Sequence, residues 1–145
     1  MAEQVFRHLV AQARLSDQFE IDSAGTLDYH VGARPHSGTQ RVLRANGVDV
    51  GTHTARQVLP YDLNYYDYVL AMDGDNLADL RSFPQGKAKV GRLLDFAPDQ
   101  PIRNVPDPYY MGNFEAVYDL ITRACRGLLD TIIRERGLQA QTRTA

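Results

Sequence analysis

This chain of 145 residues lacks both a pair of cysteines that could form a disulfide and a run of apolar residues that could span a membrane. Its single cysteine has no partner within the chain, and no apolar run is long enough to cross a bilayer. An acidic residue, Glu3, stands where a signal peptide carries basic residues. We therefore expect a cytoplasmic protein that has no membrane partner.

An excess of charge of one sign is lacking as well. The 16 Lys and Arg residues nearly balance the 18 Asp and Glu residues, which leaves a formal charge of −2. The basic residues are scattered along the chain, so neither nucleic acid nor an anionic membrane is the expected partner. His8, His30 and His36 show no metal-ligand spacing with Cys125, and we expect no metal site.

The length and the hydrophobic pattern predict one domain over residues 1–138, followed by a polar and disordered tail over residues 139–145. Short apolar runs predict strands, and apolar stripes with a period of 3.6 residues predict helices. The first half of the chain predicts a helix with the stripe Val5, Phe6, Leu9, Val10 and Ala13, then a strand over 19–23, and then a helix over 35–46 with a capping box at Ser37. The second half predicts a strand over 68–72 that is buried on both faces, followed by a helix that Asp73 caps and that ends near Pro84. A strand over 89–93 and a helix over 114–133, which ends before Gly137, complete the predicted elements.

Strands that alternate with helices predict an α/β fold, in which a parallel sheet carries helices on both faces. Ligands of such sheets bind beyond the carboxyl ends of the strands. Ser23, Asp73 and Asp107 lie in loops that follow the strands. We therefore expect these three side chains to share one site.

Asp107 stands between Pro106 and Pro108 and is followed by Tyr109 and Tyr110. Proline fixes its own φ and restricts the residue before it, so the loop leaves this carboxyl group little freedom, as a proton donor requires. An isolated Asp-Pro pair is more often a simple turn. The surrounding motifs decide between these two interpretations.

Four segments together carry a resemblance to a known family. They are Asp22-Ser23-Ala24-Gly25-Thr26, His53-Thr54-Ala55-Arg56-Gln57, Met72-Asp73 and Val105-Pro106-Asp107-Pro108-Tyr109-Tyr110. In their order and spacing, from residue 1 to about residue 136, the chain resembles the low-molecular-weight protein tyrosine phosphatases. The resemblance implies hydrolysis of phosphotyrosine through a cysteinyl-phosphate intermediate, without a cofactor. The implied partners are phosphotyrosine proteins or small aryl phosphates.

The resemblance also implies roles at the substrate. Asp107 is implied as the general acid that protonates the leaving phenolate and then activates water. Tyr109 and Tyr110 are implied as an aromatic wall, and Tyr29 as a further wall. A deep aromatic slot selects phosphotyrosine over the shorter phosphoserine.

The resemblance implies that His53, which does not contact the substrate itself, hydrogen-bonds to the family's phosphate loop and orients it. Ser23 and Asp73 are expected to support the site in the same way. Arg56 is expected to be structural, because the family's phosphate-binding arginine is fixed by the same loop as the thiolate.

The family opens with a short strand and a phosphate loop of the form C-x5-R-(S/T)-P, and this motif is absent from the 145 residues. Residues 1–6 resemble the helix directly after that loop, and no Ser, Thr, Asp or Asn precedes the first apolar stripe to cap it. We therefore expect that the first, central strand is missing and that Met1 is an internal methionine of a longer reading frame. The chain as written is then expected to be inactive.

Cys125 is not expected to replace the missing nucleophile. It lies on the apolar stripe late in a long helix, where the negative end of the helix dipole disfavours a thiolate. No glycine-rich phosphate cradle surrounds it in the sequence. We expect a structural, buried thiol.

Other functions stay open at this point. A non-catalytic relative that binds phosphoproteins would need no nucleophile, although it would give Asp107 no clear purpose. An arsenate reductase of the same fold would need further resolving cysteines. Phosphoarginine remains an alternative substrate, because the loop that would discriminate it is absent.

Overall fold

The structure, a computed structural model, describes residues 1–26, 31–107 and 113–139. Three helices precede the first strand, and from there on strands and helices alternate, as the sequence predicts. The elements are α1 (Ala2–Gln12), α2 (Ser37–Ala45), α3 (Asp62–Tyr65), β1 (Tyr68–Ala71), α4 (Gly74–Ser82), β2 (Lys89–Arg92) and α5 (Phe114–Arg136), with 3-10 turns at Ser16–Gln18 and Leu93–Phe96.

The two strands β1 and β2 pair in parallel, with α4 as the connection between them. Successive side chains of a strand point to opposite faces of a sheet. Tyr68 and Leu70 of β1 pack with the core formed by α1, α2 and α5. Val69 and Ala71 pack instead with Leu77 of α4 and its neighbours. Helices therefore cover both faces of the sheet, which confirms the predicted α/β fold.

The long helix α5 packs along α1 and supplies much of the larger core. Its buried side chains follow the predicted period and are Val117, Ile121, Ala124, Cys125, Leu128, Leu129 and Ile132. Gly137 ends the helix in the left-handed region, at φ 63°, which glycine adopts without a steric penalty. No helix among the described residues is both long and apolar enough to cross a membrane.

The start of α1 also agrees with the sequence. No side-chain hydrogen bond caps its first turn. Val5 and Val10 are almost fully buried, and Phe6 packs edge-on against Phe19 with ring centroids 5.8 Å apart. Tertiary packing therefore holds this helix in the absence of a side-chain cap.

The strand predicted over residues 19–23 is wrong. Phe19 has extended backbone angles, φ −126° and ψ 137°, but within the described chain no backbone hydrogen bond joins this segment to β1. Only Gly25, two residues further on, forms an isolated parallel bridge, with Gln57. Among the residues that the structure describes, the segment has no neighbouring strand with which to form a ladder.

The capping box predicted at Ser37 is also wrong. His36 caps α2 instead, because its Nδ1 accepts a hydrogen bond from the Gly38 N–H at 3.0 Å. The Gln40 side chain donates to the Pro35 carbonyl oxygen at 2.7 Å, whereas a capping box would place it on the cap residue. An imidazole nitrogen therefore takes the place of the expected hydroxyl.

A groove separates residues 19–23 from β1. Because of this groove, the prediction that the strand over residues 68–72 is buried on both faces is wrong. Only Ala71 of β1 is fully buried, while Tyr68, Val69 and Leu70 are half-buried. The groove has a volume of about 650 Å³. Residues 18–24 line one side and residues 65–72 the other, and Phe6, Cys125, Leu128, Ile132, Val58 and Leu80 contribute apolar walls.

We predict that Gly127→Ala destabilises the fold. A Cβ at this position would lie 2.0 Å from the carbonyl oxygen of Phe96, so α5 would have to move away from the turn that precedes it. Overpacking of this kind costs about 1–3 kcal/mol and opposes the roughly 1 kcal/mol that alanine gains in helix propensity. Urea unfolding followed by circular dichroism measures the difference. Arg126→Ala, at the exposed neighbouring position, is the control; equal stability of the two variants would contradict the prediction.

Candidate active site

Loops from four parts of the chain are joined at the carboxyl end of β1. The Gly25 N–H donates to the Arg56 carbonyl oxygen at 2.8 Å. The Asn76 side-chain amide donates to the Thr26 hydroxyl at 3.2 Å, and the Val105 N–H donates to the Met72 carbonyl oxygen at 2.8 Å. These bonds bring the loops of the predicted site residues Ser23, His53, Asp73 and Asp107 to one end of the sheet.

Ser23 and His53 meet at a pair of carboxylates. The Ser23 hydroxyl donates to Glu3 Oε1 at 2.7 Å. His53 Nδ1 lies 3.1 Å from Asp22 Oδ1 and 3.6 Å from Glu3 Oε1. Arg7 Nε donates to the other oxygen of Glu3 at 2.9 Å. Glu3 is only 6% exposed, so this network fixes the start of α1 against both loops.

Arg56 is structural, as predicted. Its Nε donates to Asp22 at 3.0 Å, and its two terminal nitrogens bind the carboxylate of Asp62 at 3.0 and 3.1 Å. Burial disfavours a charge on Asp62, but the hydrogen bonds from Arg56 and from the Leu59 N–H hold the pKa of this carboxyl below its usual value. The same partners raise the pKa of Arg56. A guanidinium held by two carboxylates is not available to a phosphate.

Glu3, Asp22 and His53 are the candidate metal ligands of the described chain, because their donor atoms all lie within 4.8 Å of one another. Arg7 and Arg56 already bind the two carboxylates of this group. A divalent cation at this position would be repelled by the two positively charged guanidinium groups, or would have to displace them from the carboxylates. The charges therefore favour an ion-pair network over a metal centre.

The loop that leads to Asp107 is anchored before the acid. The Asn104 side-chain oxygen accepts a hydrogen bond from the Gly74 N–H at 3.0 Å. The Arg103 guanidinium donates to the carbonyl oxygens of Leu94, at 2.6 Å, and of Ala97, at 3.1 Å. Together with the Val105–Met72 bond, these contacts tie the loop to the ends of both strands.

The chain is anchored again at the start of α5. The Asn113 side chain accepts a hydrogen bond from the Ala116 N–H at 3.3 Å and caps the helix. The Phe114 ring stacks on His36, with centroids 5.3 Å apart and planes at 15°. Gly38 leaves no room for a Cβ here, since one would lie 2.4 Å from the Phe114 ring. The described residues on both sides of residues 108–112 are therefore anchored, at Val105 and at Asn113.

The remaining predicted residues divide into two groups. Asp73 caps α4, because its carboxylate accepts from the Asn76 N–H at 2.7 Å, as predicted from the sequence. Tyr29, Tyr109 and Tyr110, the predicted aromatic walls, lie outside the described residues. Their roles stay predictions.

Cys125 is buried, as predicted, with only 1% of its surface exposed. Its Sγ lies 3.9 Å from the carbonyl oxygen of Ala2. Burial raises the pKa of this thiol to about 12. At neutral pH it is therefore a neutral thiol, which is a poor nucleophile.

Sequence reasoning missed four hydrogen-bond partners that hold the loops of the site. It assigned no role to Glu3, Asp22, Asp62 or Asn104, all of which bind site loops. For Asp22 a signal was present, because this residue directly precedes Ser23 in one of the motifs that carry the resemblance. Glu3 and Asn104 bind residues that are 20 and 30 positions away, and no local pattern marks them. Asp62 lies only six residues from Arg56, but it stands outside the motifs that carry the resemblance.

Comparison with known proteins shows which family the chain resembles. Residues 1–139 match the family described as "Low molecular weight phosphotyrosine protein phosphatase". The low molecular weight protein-tyrosine-phosphatase YfkJ of Bacillus subtilis is 44% identical over 140 residues, which cover 95% of this chain and 90% of that protein. The phosphatase PtpA of Staphylococcus aureus is 32% identical, over 96% of this chain and 88% of that protein.

Solved structures show the same similarity. The crystal structure of YfkJ superposes with a TM-score of 0.89 at 43% identity, over 93% of this chain and 86% of that one. The structure of a Drosophila arginine phosphatase superposes with a TM-score of 0.82 at 30% identity, over 90% and 87% of the two chains. The chain therefore belongs to the low molecular weight phosphotyrosine protein phosphatase family.

We predict that Asp62→Asn destabilises the protein in a pH-dependent way. The pKa of Asp62 is lower in the folded state than in the unfolded chain, so its contribution to stability is present above about pH 4 and is lost as the pH falls through the folded-state value. Loss of the charged partner of Arg56 should lower the free energy of unfolding by about 2 kcal/mol at pH 7. Urea unfolding at pH 7 and at pH 3 checks this.

The control for this prediction is Asp67→Asn. Asp67 forms exposed ion pairs with Lys87 and Arg136, at 3.4 and 3.6 Å. Exposed pairs contribute about 1 kcal/mol or less. An Asp62→Asn loss that is equally large at both pH values would contradict the pH argument.

Proposed function

We propose that this protein hydrolyses phosphotyrosine and related aryl phosphates, with Asp107 as the general acid. The observation that carries the proposal is the anchor of the segment that leads to Asp107, where the Val105 N–H donates to the Met72 carbonyl oxygen at the carboxyl end of β1. Ligands of parallel α/β sheets bind at this end. Membership of the phosphatase family supports the same assignment.

The proposed reaction has two steps. A thiolate attacks the phosphorus, the S–P bond forms and the P–O bond to the phenol breaks, while the Asp107 carboxyl gives its proton to the leaving oxygen. The Asp107 carboxylate then takes a proton from water, whose oxygen bonds to phosphorus as the S–P bond breaks. The products are the phenol, inorganic phosphate and the regenerated thiolate.

Cys125 is a poor candidate for that thiolate, because its pKa of about 12 keeps it protonated at neutral pH. The sequence contains no C-x5-R-(S/T)-P motif to supply another. We therefore propose that turnover requires a segment with this motif in addition to the 145 residues. The chain on its own should not hydrolyse aryl phosphates.

His53 and Ser23 are proposed to support the phosphate loop, and their contacts with Glu3 and Asp22 suit a supporting role. Asp73 acts through the cap of α4, which fixes the loop after β1. Tyr109, Tyr110 and Tyr29 are proposed as the aromatic walls for the substrate ring. A cytoplasmic location, suggested by the single cysteine, remains part of the proposal.

Phosphoarginine is the second candidate substrate, because one structural relative is titled an arginine phosphatase. The two most similar relatives described above are named protein-tyrosine phosphatases, which favours phosphotyrosine. Parallel assays with a phosphotyrosine peptide and a phosphoarginine peptide discriminate between them. A non-catalytic phosphoprotein-binding role would instead give binding of the phosphorylated peptides without turnover.

We predict that Asp107→Asn lowers turnover by about 10²–10⁴-fold in a chain extended by an apolar strand and a C-x5-R-(S/T)-P loop. The loss should be largest for phenyl phosphate and much smaller for an aryl phosphate with a very acidic leaving group, because that group departs without a proton. Steady-state kinetics on the two substrates measure the difference. An equal loss on both would show that Asp107 acts in another way.

We also predict that Cys125→Ser leaves the turnover of the extended chain within about tenfold of the parent and lowers its stability by about 1 kcal/mol or less. The 145-residue chain without the extension, assayed in parallel, should show no turnover. Real turnover by the unextended chain, or its loss in Cys125→Ser, would refute the proposed origin of the nucleophile.

A further inference from the structure

The guanidinium of Arg92 lies at the carboxyl end of the sheet. Arg92 is the last residue of β2 and pairs with Ala71 in the parallel register. Side chains of paired residues point to the same face of a sheet, so Arg92 points to the face that α4 covers, as Ala71 does. Its Nη2 lies 3.4 Å from the point where a Cβ on Gly74, the first residue of α4, would stand. The side chain therefore reaches from β2 to the loop that follows β1.

This position brings Arg92 close to the anchor of the segment that leads to Asp107. The Asn104 side-chain oxygen, which accepts from the Gly74 N–H, lies 3.8 Å from the same Cβ point. Asp107 follows Asn104 by three residues, so their Cα atoms are at most about 11 Å apart. Arg92 therefore lies within the span of a short peptide from the proposed proton donor.

Other guanidinium groups around the candidate site are already held by oxygen atoms. Arg56 is bound by two carboxylates. Arg34 donates to two main-chain carbonyl oxygens, at 2.7 and 3.0 Å, and Arg103 donates to three. Each of these cations stabilises a loop, and binding a substrate would require it to leave that loop.

Arg92 differs from these three residues. Within residues 1–26, 31–107 and 113–139, no oxygen accepts a hydrogen bond from its guanidinium, and no carboxylate forms an ion pair with it. Asp95, the nearest acid in sequence, accepts from the Arg92 main-chain N–H at 3.2 Å and lies 4.0 Å from Arg103. The Asp73 carboxylate accepts from the Asn76 N–H.

The chemistry of the guanidinium indicates what it would bind. Arginine keeps its charge at neutral pH, and its planar donors match the two oxygens of a carboxylate. Arg92 is half-buried, so its charge is less screened by solvent than that of a fully exposed residue. A cation of this kind is suited to a carboxylate from outside the described chain.

We propose that Arg92 is a specificity-determining residue, which binds an acidic side chain close to the phosphotyrosine of a protein substrate. An extended peptide advances about 3.3 Å per residue, so a Glu or Asp two to four positions away lies about 7–13 Å from the phosphotyrosine along the peptide. This distance is comparable to the separation of Asp107 from the anchor at Asn104. The inference rests on the proposed function, because it concerns the substrate of the same site.

The contact selects among phosphoproteins and does not accelerate the chemical step. The charge of a flanking carboxylate does not change during phosphoryl transfer, so Arg92 stabilises the bound substrate and the transition state equally. An interaction of this kind lowers KM and leaves kcat unchanged. Because the contact is between two charges at the surface, it weakens as the salt concentration rises.

The test uses the chain extended by an apolar strand and a C-x5-R-(S/T)-P loop, with two phosphotyrosine peptides that carry either Glu or Gln at the flanking positions. We expect kcat/KM to be about three- to tenfold higher for the Glu peptide, through KM, and this ratio to shrink in about 0.5 M NaCl. Arg92→Gln should bring the ratio close to one, and the ratio cancels any general loss of activity. Arg81→Gln removes the same charge from an exposed position in the last turn of α4 and should keep the ratio of the parent.

A charge reversal gives a readout that a merely structural role of Arg92 would not move. Arg92→Glu should prefer a third peptide, with Lys at the flanking positions, over the Glu peptide. A damaged fold lowers both rates and does not reverse a preference. Equal kcat/KM values of the parent for the Glu and Gln peptides, or an unchanged ratio in Arg92→Gln, would overturn the role of Arg92 and leave the proposed function intact.

Binding of the same peptides separates a failure of this inference from a failure of the proposed function. If the extended chain hydrolyses neither peptide, the proposed function is wrong, and fluorescence anisotropy of the labelled phosphopeptides then measures the charge preference without turnover. Tighter binding of the Glu peptide that Arg92→Gln removes would support the role of Arg92 alone. Equal binding of the two peptides, or no binding, would count against both.

Discussion

The alternation of side chains along β1 is the constraint on which the rest of the structure depends. Tyr68 and Leu70 join the core of α1, α2 and α5, while Val69 and Ala71 join the core of α3 and α4. One four-residue strand therefore holds two helical layers together. Because its carboxyl end also receives the Val105 N–H, the position of the acid loop follows from the packing of this strand.

Local pattern was sufficient for the elements that carry their own periodicity or cap. The stripe of α5, the αL glycine at its end and the Asp73 cap of α4 were all readable because each depends on neighbours within one or two turns. The conformation of residues 19–23 could not be predicted in this way, because a strand exists only when a partner strand pairs with it, and pairing is not a local property of the sequence. The His36 cap was missed because histidine is an unusual cap residue.

The site was predictable as a set of loops but not as a set of contacts. Sequence motifs named the loops around Ser23, His53 and Asp107, whereas the structure adds the carboxylates that hold them. Glu3 binds Ser23 across 20 positions of the chain, and Asp22 binds Arg56 across 34. Pairs this distant in sequence form only after the sheet and α1 have come together, so no periodicity records them.

The burial of the single thiol has a practical consequence. With 1% exposure and a pKa of about 12, Cys125 leaves the folded protein without a reactive sulfur at neutral pH. A cysteine introduced at any exposed position would therefore be the only one to take up a fluorophore, a spin label or a mass tag. For labelling, these 145 residues therefore behave as a background without reactive cysteine, provided that the labelling reaction is faster than the opening of α5.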